Sequence, residues 1–170
     1  RLDYPIRLVG HCVVAAIVAS VLRDRAEGWH VWTLLALQGL AWPHLAYLHA
    51  RRAADPKGAE LRNVLVDSVL VGAWIAYVHF TPWATVTFVS SLLLAYLSIG
   101  GPWLAAHGLL WLVAGAAVTA AIHGAAFEPR ATSLTIALCT LGIVAYTTRF
   151  GLSSHATARS LVHSRKLSEA

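Results

Sequence analysis

The stretch VLVDSVLVGAWIAYVHFTPWATVTFVSSLLLAYLSI, Val64 to Ile99, decides the fold. It holds two almost unbroken apolar runs on either side of Thr81-Pro82, with Asp67 as its one charged residue. A helix rises about 1.5 Å per residue, so a run of roughly 20 residues crosses a hydrocarbon layer of about 30 Å. Lipid offers no partner for a bare amide, which leaves helices or a closed barrel. A barrel needs alternating apolar and polar residues, and these runs do not alternate. The two runs therefore predict helices, about Val64 to Phe80 and Trp83 to Ile99. Outward from them the pattern repeats at about Ile6 to Leu22, Trp29 to His49, Trp103 to His123 and Thr132 to Phe150. The prediction is an all-α polytopic membrane bundle of six transmembrane helices.

Composition agrees. The 170 residues are 58% hydrophobic and 12% charged, against about a quarter charged in soluble domains. The net charge of +5 would suggest nucleic acid in a soluble protein. Here the basic residues sit at run ends, where they set topology. Arg1, Arg7, Arg51, Arg52, Lys57, Arg62, Arg149, Arg159, Arg165 and Lys166 fall on one side; Arg23, Arg25 and Arg130 fall on the other. The first side is expected to be cytoplasmic, with both termini there and no nucleic-acid partner. Trp29, Trp83 and Trp103 start runs, where an amphipathic ring prefers the interface, while Trp42, Trp74 and Trp111 read as packing residues. Cys12 and Cys139 read as small buried hydrophobes. With no methionine in the chain, Arg1 is not expected to be a natural start. Residues 1–150 form the predicted transmembrane domain, and 151–170 a cytoplasmic juxtamembrane helix leading to a further output domain. In that tail Leu152, Ala158, Leu161, Val162 and Leu167 alternate with Arg159, Arg165 and Lys166, a pattern suited to anionic lipid.

Polar residues inside a membrane are costly and need partners. Asn63, Asp67 and Trp74 share one helix face, and Asp67 is expected to pair with Arg62, Arg51 or a histidine from a neighbouring helix. As a function it suggests signal coupling or proton sensing; as structure, an ion pair at the cytoplasmic rim. Pro43 removes an amide donor and crowds the carbonyl of Gly39, predicting a kink, with Gln38, Trp42 and His49 on one face and His44 turned away. Gly100-Gly101-Pro102 predicts a turn. Ala15 and Ala19, and Gly115 and Thr119, have the four-residue spacing of close helix contacts, within one chain or between two. His11, His44 and His107 are the candidates for a haem or metal, but none has HxxxH or HxxE spacing; no metal or cofactor is expected. Hydrolytic and phosphate-binding signatures are missing, so no catalytic residue is assigned.

Trp42-Pro43-His44-Leu45-Ala46, then Arg51, Asp55-Pro56, Glu60, Arg62-Asn63 and Asp67-Ser68, with Gly72 beyond, resembles the second class of bacterial membrane-associated sensor domains, the MASE group. The likeness runs from Arg7 to Phe88, and Leu61 departs from it where a second charged residue is expected. The resemblance implies an inner-membrane anchor standing before a cytoplasmic nucleotide cyclase, either a GGDEF diguanylate cyclase or a class III adenylate cyclase. It implies regulation through a homodimer, with an unassigned lipophilic ligand besides membrane lipid. Trp42, Pro43, His44, Arg51, Glu60, Arg62, Asn63, Asp67 and Ser68 become the expected coupling or ligand residues. A haem, metal or quinone redox protein would use the histidines instead. A small transporter would need a polar path through the apolar middles.

Overall fold

The computed structural model describes the backbone of residues 4–168 and the side chains of residues 4, 5 and 7–152. The described residues are helical, with no strand among them. The elements are α1 (Tyr4–Leu22), α2 (Trp29–Ala36), a π-helical turn (Leu37–Ala41), α3 (Trp42–Arg52), α4 (Pro56–Tyr77), α5 (Pro82–His123) and α6 (Ser133–Ser168). α2, the π turn and α3 are one continuous rod. α5 is two arms, because Gly101 leaves the helical region with φ 70°. Space at Gly108 is filled by the Tyr96 ring. Twelve residues along a straight helix would separate these two by about 18 Å, so the arms fold back on each other at Gly101, as the Gly-Gly-Pro signal predicts.

Six rods result, and their pairings give an up-and-down order. Tyr4 meets His44, and His11 meets Gln38, so α1 and the α2–α3 rod are antiparallel. Asn63 meets Ala46, and Asp67 meets Trp42, so α4 turns back again. α6 returns along α1, with Ser20 on Thr135 and Gly10 beside Tyr146. The start of α1, the α3–α4 turn, the Gly101 reversal and the exit of α6 therefore share one end of the bundle. By length and composition, Pro82–His123 and Ser133–Leu152 are apolar enough to cross a membrane, and Arg7–Leu22 is a shorter apolar helix.

Local chemistry explains the breaks. Asp55 caps α4 by accepting from the Gly58 amide at 3.0 Å, with Pro56 in the first turn. α4 ends in a Schellman arrangement: Phe80 N–H reaches Ile75 O at 2.9 Å and His79 N–H reaches Ala76 O at 3.0 Å. His79 and Phe80 both take positive φ, 57° and 49°, where glycine is usual. The core fills the far half of the bundle with Ile17, Val18 and Leu22, Val31 and Leu35, Val71, Trp74, Ile75 and Val78, and Phe88. Backbone contact joins α4 to the second arm of α5: a Cβ on Gly72 would strike the Leu112 carbonyl, and one on Gly115 the Val69 carbonyl. Small residues at such crossings let dispersion contacts replace side-chain separation.

Three expectations are corrected. Cys12 is exposed at the edge of α1 beside the α2–α3 rod, whereas Cys139 is buried as expected. Trp111 is 46% exposed, since α5 turns Leu112, Gly115 and Ala116 inward instead. The polar loop expected from Arg51 to Arg62 is only 53–55, because Asp55 and Pro56 start α4 early. Helix continues as α6 from the sixth apolar run into residues 151–168, which the sequence reads as a juxtamembrane helix. Apart from Leu152, which is exposed, the alternating side chains of that tail lie outside the described side chains.

Candidate functional site

Asp67 is a buried carboxylate that ties three helices together. Trp42 Nε1–H donates to its Oδ1 at 2.6 Å. Arg7 Nε lies 3.3 Å from Oδ2, and His11 Nε2 lies 3.3 Å from Oδ1. Asp67 is 8% exposed and His11 6%. Burying a carboxylate this far is tolerable only with paired charge and hydrogen bonds. Arg7 and His11 reach one carboxylate because they are four residues apart on α1.

The hub extends into the π turn. Gln38 Nε2 lies 2.9 Å from His11 Nδ1. Pro43 has no N–H, so the Gly39 carbonyl loses its helical partner. Trp42 N–H reaches back to Leu37 O, widening the turn, and Cys12 Sγ approaches the freed Gly39 carbonyl at 3.9 Å. Ala15 packs where a Gly39 side chain would stand. The expected kink is thus a π turn that admits α1 to backbone distance and turns Gln38 inward.

Two further ties flank Asp67 on α4. Asn63 Nδ2 donates to Ala46 O at 2.8 Å, which fixes its amide so that Oδ1 accepts from His49 Nδ1–H at 2.9 Å. Ser68 Oγ and the Tyr96 hydroxyl hydrogen-bond at 2.6 Å, and both reach the Val64 carbonyl, at 3.3 and 2.8 Å. Asn63, Asp67 and Ser68 thereby link α4 to α3, α1 and the first arm of α5.

The structure gathers Trp42, Asn63, Asp67 and Ser68 on one side of α4 and buries Pro43 beside them. His44 stands apart at the exposed rim, 2.6 Å from Tyr4 OH. Arg51 and Arg62 are exposed, and Glu60 is half-buried with no ion pair among the described residues. Asp67 pairs with Arg7 and a histidine, not with Arg51 or Arg62. The three candidate metal histidines are dispersed: His11 on Asp67, His44 on Tyr4, and His107 on the Trp103 carbonyl at 2.9 Å. No cluster of three His, Cys, Asp or Glu side chains placed to hold a metal occurs among the described residues. Arg7 and Tyr96 are the hub residues that sequence reading missed. Arg7–His11 and Gln38–Trp42 are both polar pairs at four-residue spacing, which is the signal that could have found Arg7.

An all-α bundle with a polar hub at one end and an apolar floor at the other is the fold of a membrane-associated helical domain. The chain belongs to the MASE2 domain family, which matches residues 2–90, the second class of membrane-associated sensor domains that the Trp42-to-Gly72 residues resemble. It is 34% identical over 139 residues to the probable diguanylate cyclase DgcC of Escherichia coli (strain K12), a match that covers 80% of this chain and 38% of that protein. The same identity and coverage hold for DgcC of Escherichia coli O6:H1 (strain CFT073). The chain thus spans less than two-fifths of the length of these relatives. No solved structure matches it.

Proposed function

We propose that the chain is the membrane anchor and sensory domain of a cytoplasmic nucleotide cyclase, with a diguanylate cyclase as the output that the relatives favour. Its six rods cross the bacterial inner membrane, both ends lie in the cytoplasm, and the domain works as a homodimer in lipid. The Asp67 hub couples helix arrangement to output; Trp42, Pro43, Asn63 and Ser68 hold it, while His44, Arg51, Glu60 and Arg62 form the adjoining rim. The observation that carries this reading is position: Asp67 ties α1, α3 and α4 together at the end where α6 leaves the bundle. A stimulus changes output by favouring one arrangement of these helices over another.

The test attaches the chain through Ala170 to a GGDEF reporter cyclase and measures cyclic di-GMP per folded molecule. Asp67→Asn and His44→Ala are expected to shift specific activity about fivefold or more, the scale of a coupling free energy. Equal specific activity, with only the yield of protein altered, returns both residues to purely structural roles. Purified protein with a visible absorption band would instead support a haem at the histidines.

A further inference from the structure

The groups around His11 match one state of its ring when the Gln38 amine faces it. Gln38 Nε2 is a donor, so it needs His11 Nδ1 to accept at 2.9 Å. The proton of the neutral ring then sits on Nε2 and points at Asp67 Oδ1. Arg7 and Asp67 cancel in charge, so this neutral arrangement is balanced. One group is left over: Gln38 Oε1 is buried in a side chain only 6% exposed and has no hydrogen-bond partner. A buried orphan acceptor is costly and calls for a reason.

A proton supplies that reason. On the cationic ring both nitrogens are donors, and the Gln38 amine can no longer face Nδ1. Half a turn of the amide brings Oε1, the atom without a partner, into its place. We propose that His11 is a proton-binding site, and that Gln38, seated in the π turn, rotates its amide to report whether the proton is bound. Binding is Nδ1 taking a proton from solvent, with no covalent bond made or broken elsewhere. It sets two cations, Arg7 and His11, one turn apart on α1 against the single carboxylate of Asp67. The other titratable and charged groups near the hub are His49 from α3, bonded to Asn63, Tyr96 from α5, and Tyr146 and Arg149 from α6, with Cys12 on α1 itself. The amide turns where α1 and the π turn are in closest contact, Ala15 against Gly39. A changed bond there alters how α1 seats on the α2–α3 rod. The proton site stands on these contacts alone; only its link to a fused enzyme rests on the proposed function.

The test needs no cyclase. The whole chain in lipid nanodiscs, labelled with ¹⁵N at histidine, glutamine and tryptophan, is followed by NMR between about pH 5 and 8, the range in which imidazole changes charge. The expected result is that the His11 ring nitrogens pass from neutral to cationic, and that the Gln38 amide and Trp42 indole signals move with the same midpoint. Gln38→Glu offers Nδ1–H a carboxylate and is expected to raise the midpoint by about one pH unit, a tenfold gain in proton affinity. Gln38→Met removes the acceptor and is expected to lower it by about as much. A His11 ring that keeps its proton on Nε2 and stays neutral throughout overturns the proposal. So does a ring that titrates while Gln38 stays fixed, or a midpoint that Gln38→Met leaves unmoved. The methionine variant adds no charge, so it decides the matter even where the glutamate variant fails to fold. Should this fail while Asp67→Asn still changes reporter output, coupling survives and only the proton is removed from it.

Discussion

Arg7 holds the buried Asp67 carboxylate from one turn inside the start of α1. Replacing Arg7 with glutamine leaves the carboxylate with neutral donors only, and stripping a partner from a buried ion pair costs about 3–5 kcal/mol. Trp42→Phe keeps an aromatic ring but loses a hydrogen bond to a charged group, a loss of about 1.5–3 kcal/mol. Both are expected to lower resistance to denaturant unfolding in detergent, Arg7→Gln more than Trp42→Phe; a reversed order would mean that the indole, not the ion pair, anchors Asp67. Much of this hub was legible in the sequence. A lone Asp67 in an apolar run demanded a partner, and Asn63 stood one turn away on the same face, while Trp42 and Ser68 were among the residues that carried the family resemblance. Arg7 was not legible as that partner, because a basic residue beside a membrane span serves topology equally well. Choosing between those roles requires knowing which side of α1 faces α4. Tyr96 was missed for a related reason: a tyrosine in an apolar run looks like packing until Ser68 and the Val64 carbonyl are found against its hydroxyl.

Helix ends and crossings obey rules that leave different traces in sequence. Turns at Thr81-Pro82 and Gly100-Gly101-Pro102 were readable because proline and glycine act on their own backbone. The Schellman end of α4 was not, since His79 occupies a left-handed position that usually takes glycine. His79→Gly relieves that strain and is expected to stabilise the bundle by about 1 kcal/mol, read as a higher unfolding midpoint. An unchanged or lower midpoint would show that the histidine ring itself contributes as much as the strain removes. Gly72 and Gly115 lie where α4 and the second arm of α5 touch through backbone. Gly72→Ala has no flexible side chain to push aside and is expected to cost about 1–3 kcal/mol. The four-residue spacing marked Gly115 as a contact, but only the fold assigns that contact to α4 within the same chain.

At the scale of the whole molecule, the number of rods and their order follow from apolar runs and breakers, while the faces that meet do not. A continuously apolar helix has no polar stripe to mark its outer side, which is why Trp111 and Cys12 read as interior. α6 makes a single helix from Ser133 to Ser168, with Tyr146 packed beside Gly10 of α1. Such a helix transmits rotation, since each added residue turns the downstream chain by about 100°. In the reporter fusion, inserting two residues after Leu152 is expected to change cyclase activity, and inserting seven, close to two full turns, to restore most of it. Activity that falls steadily with length, without regard to phase, would make the segment a spacer.

The halves of the bundle differ in what they let through. Ile17, Val18, Leu22, Val71, Ile75 and Val78 close the end opposite the hub, and the connections there, 23–28, 78–81 and 124–132, are short. Among the described residues, that end sets a layer of buried hydrocarbon between its face and Asp67. Under the proposed topology, a stimulus would act on Asp67 from the cytoplasm or from the lipid, and not from solutes on the far side.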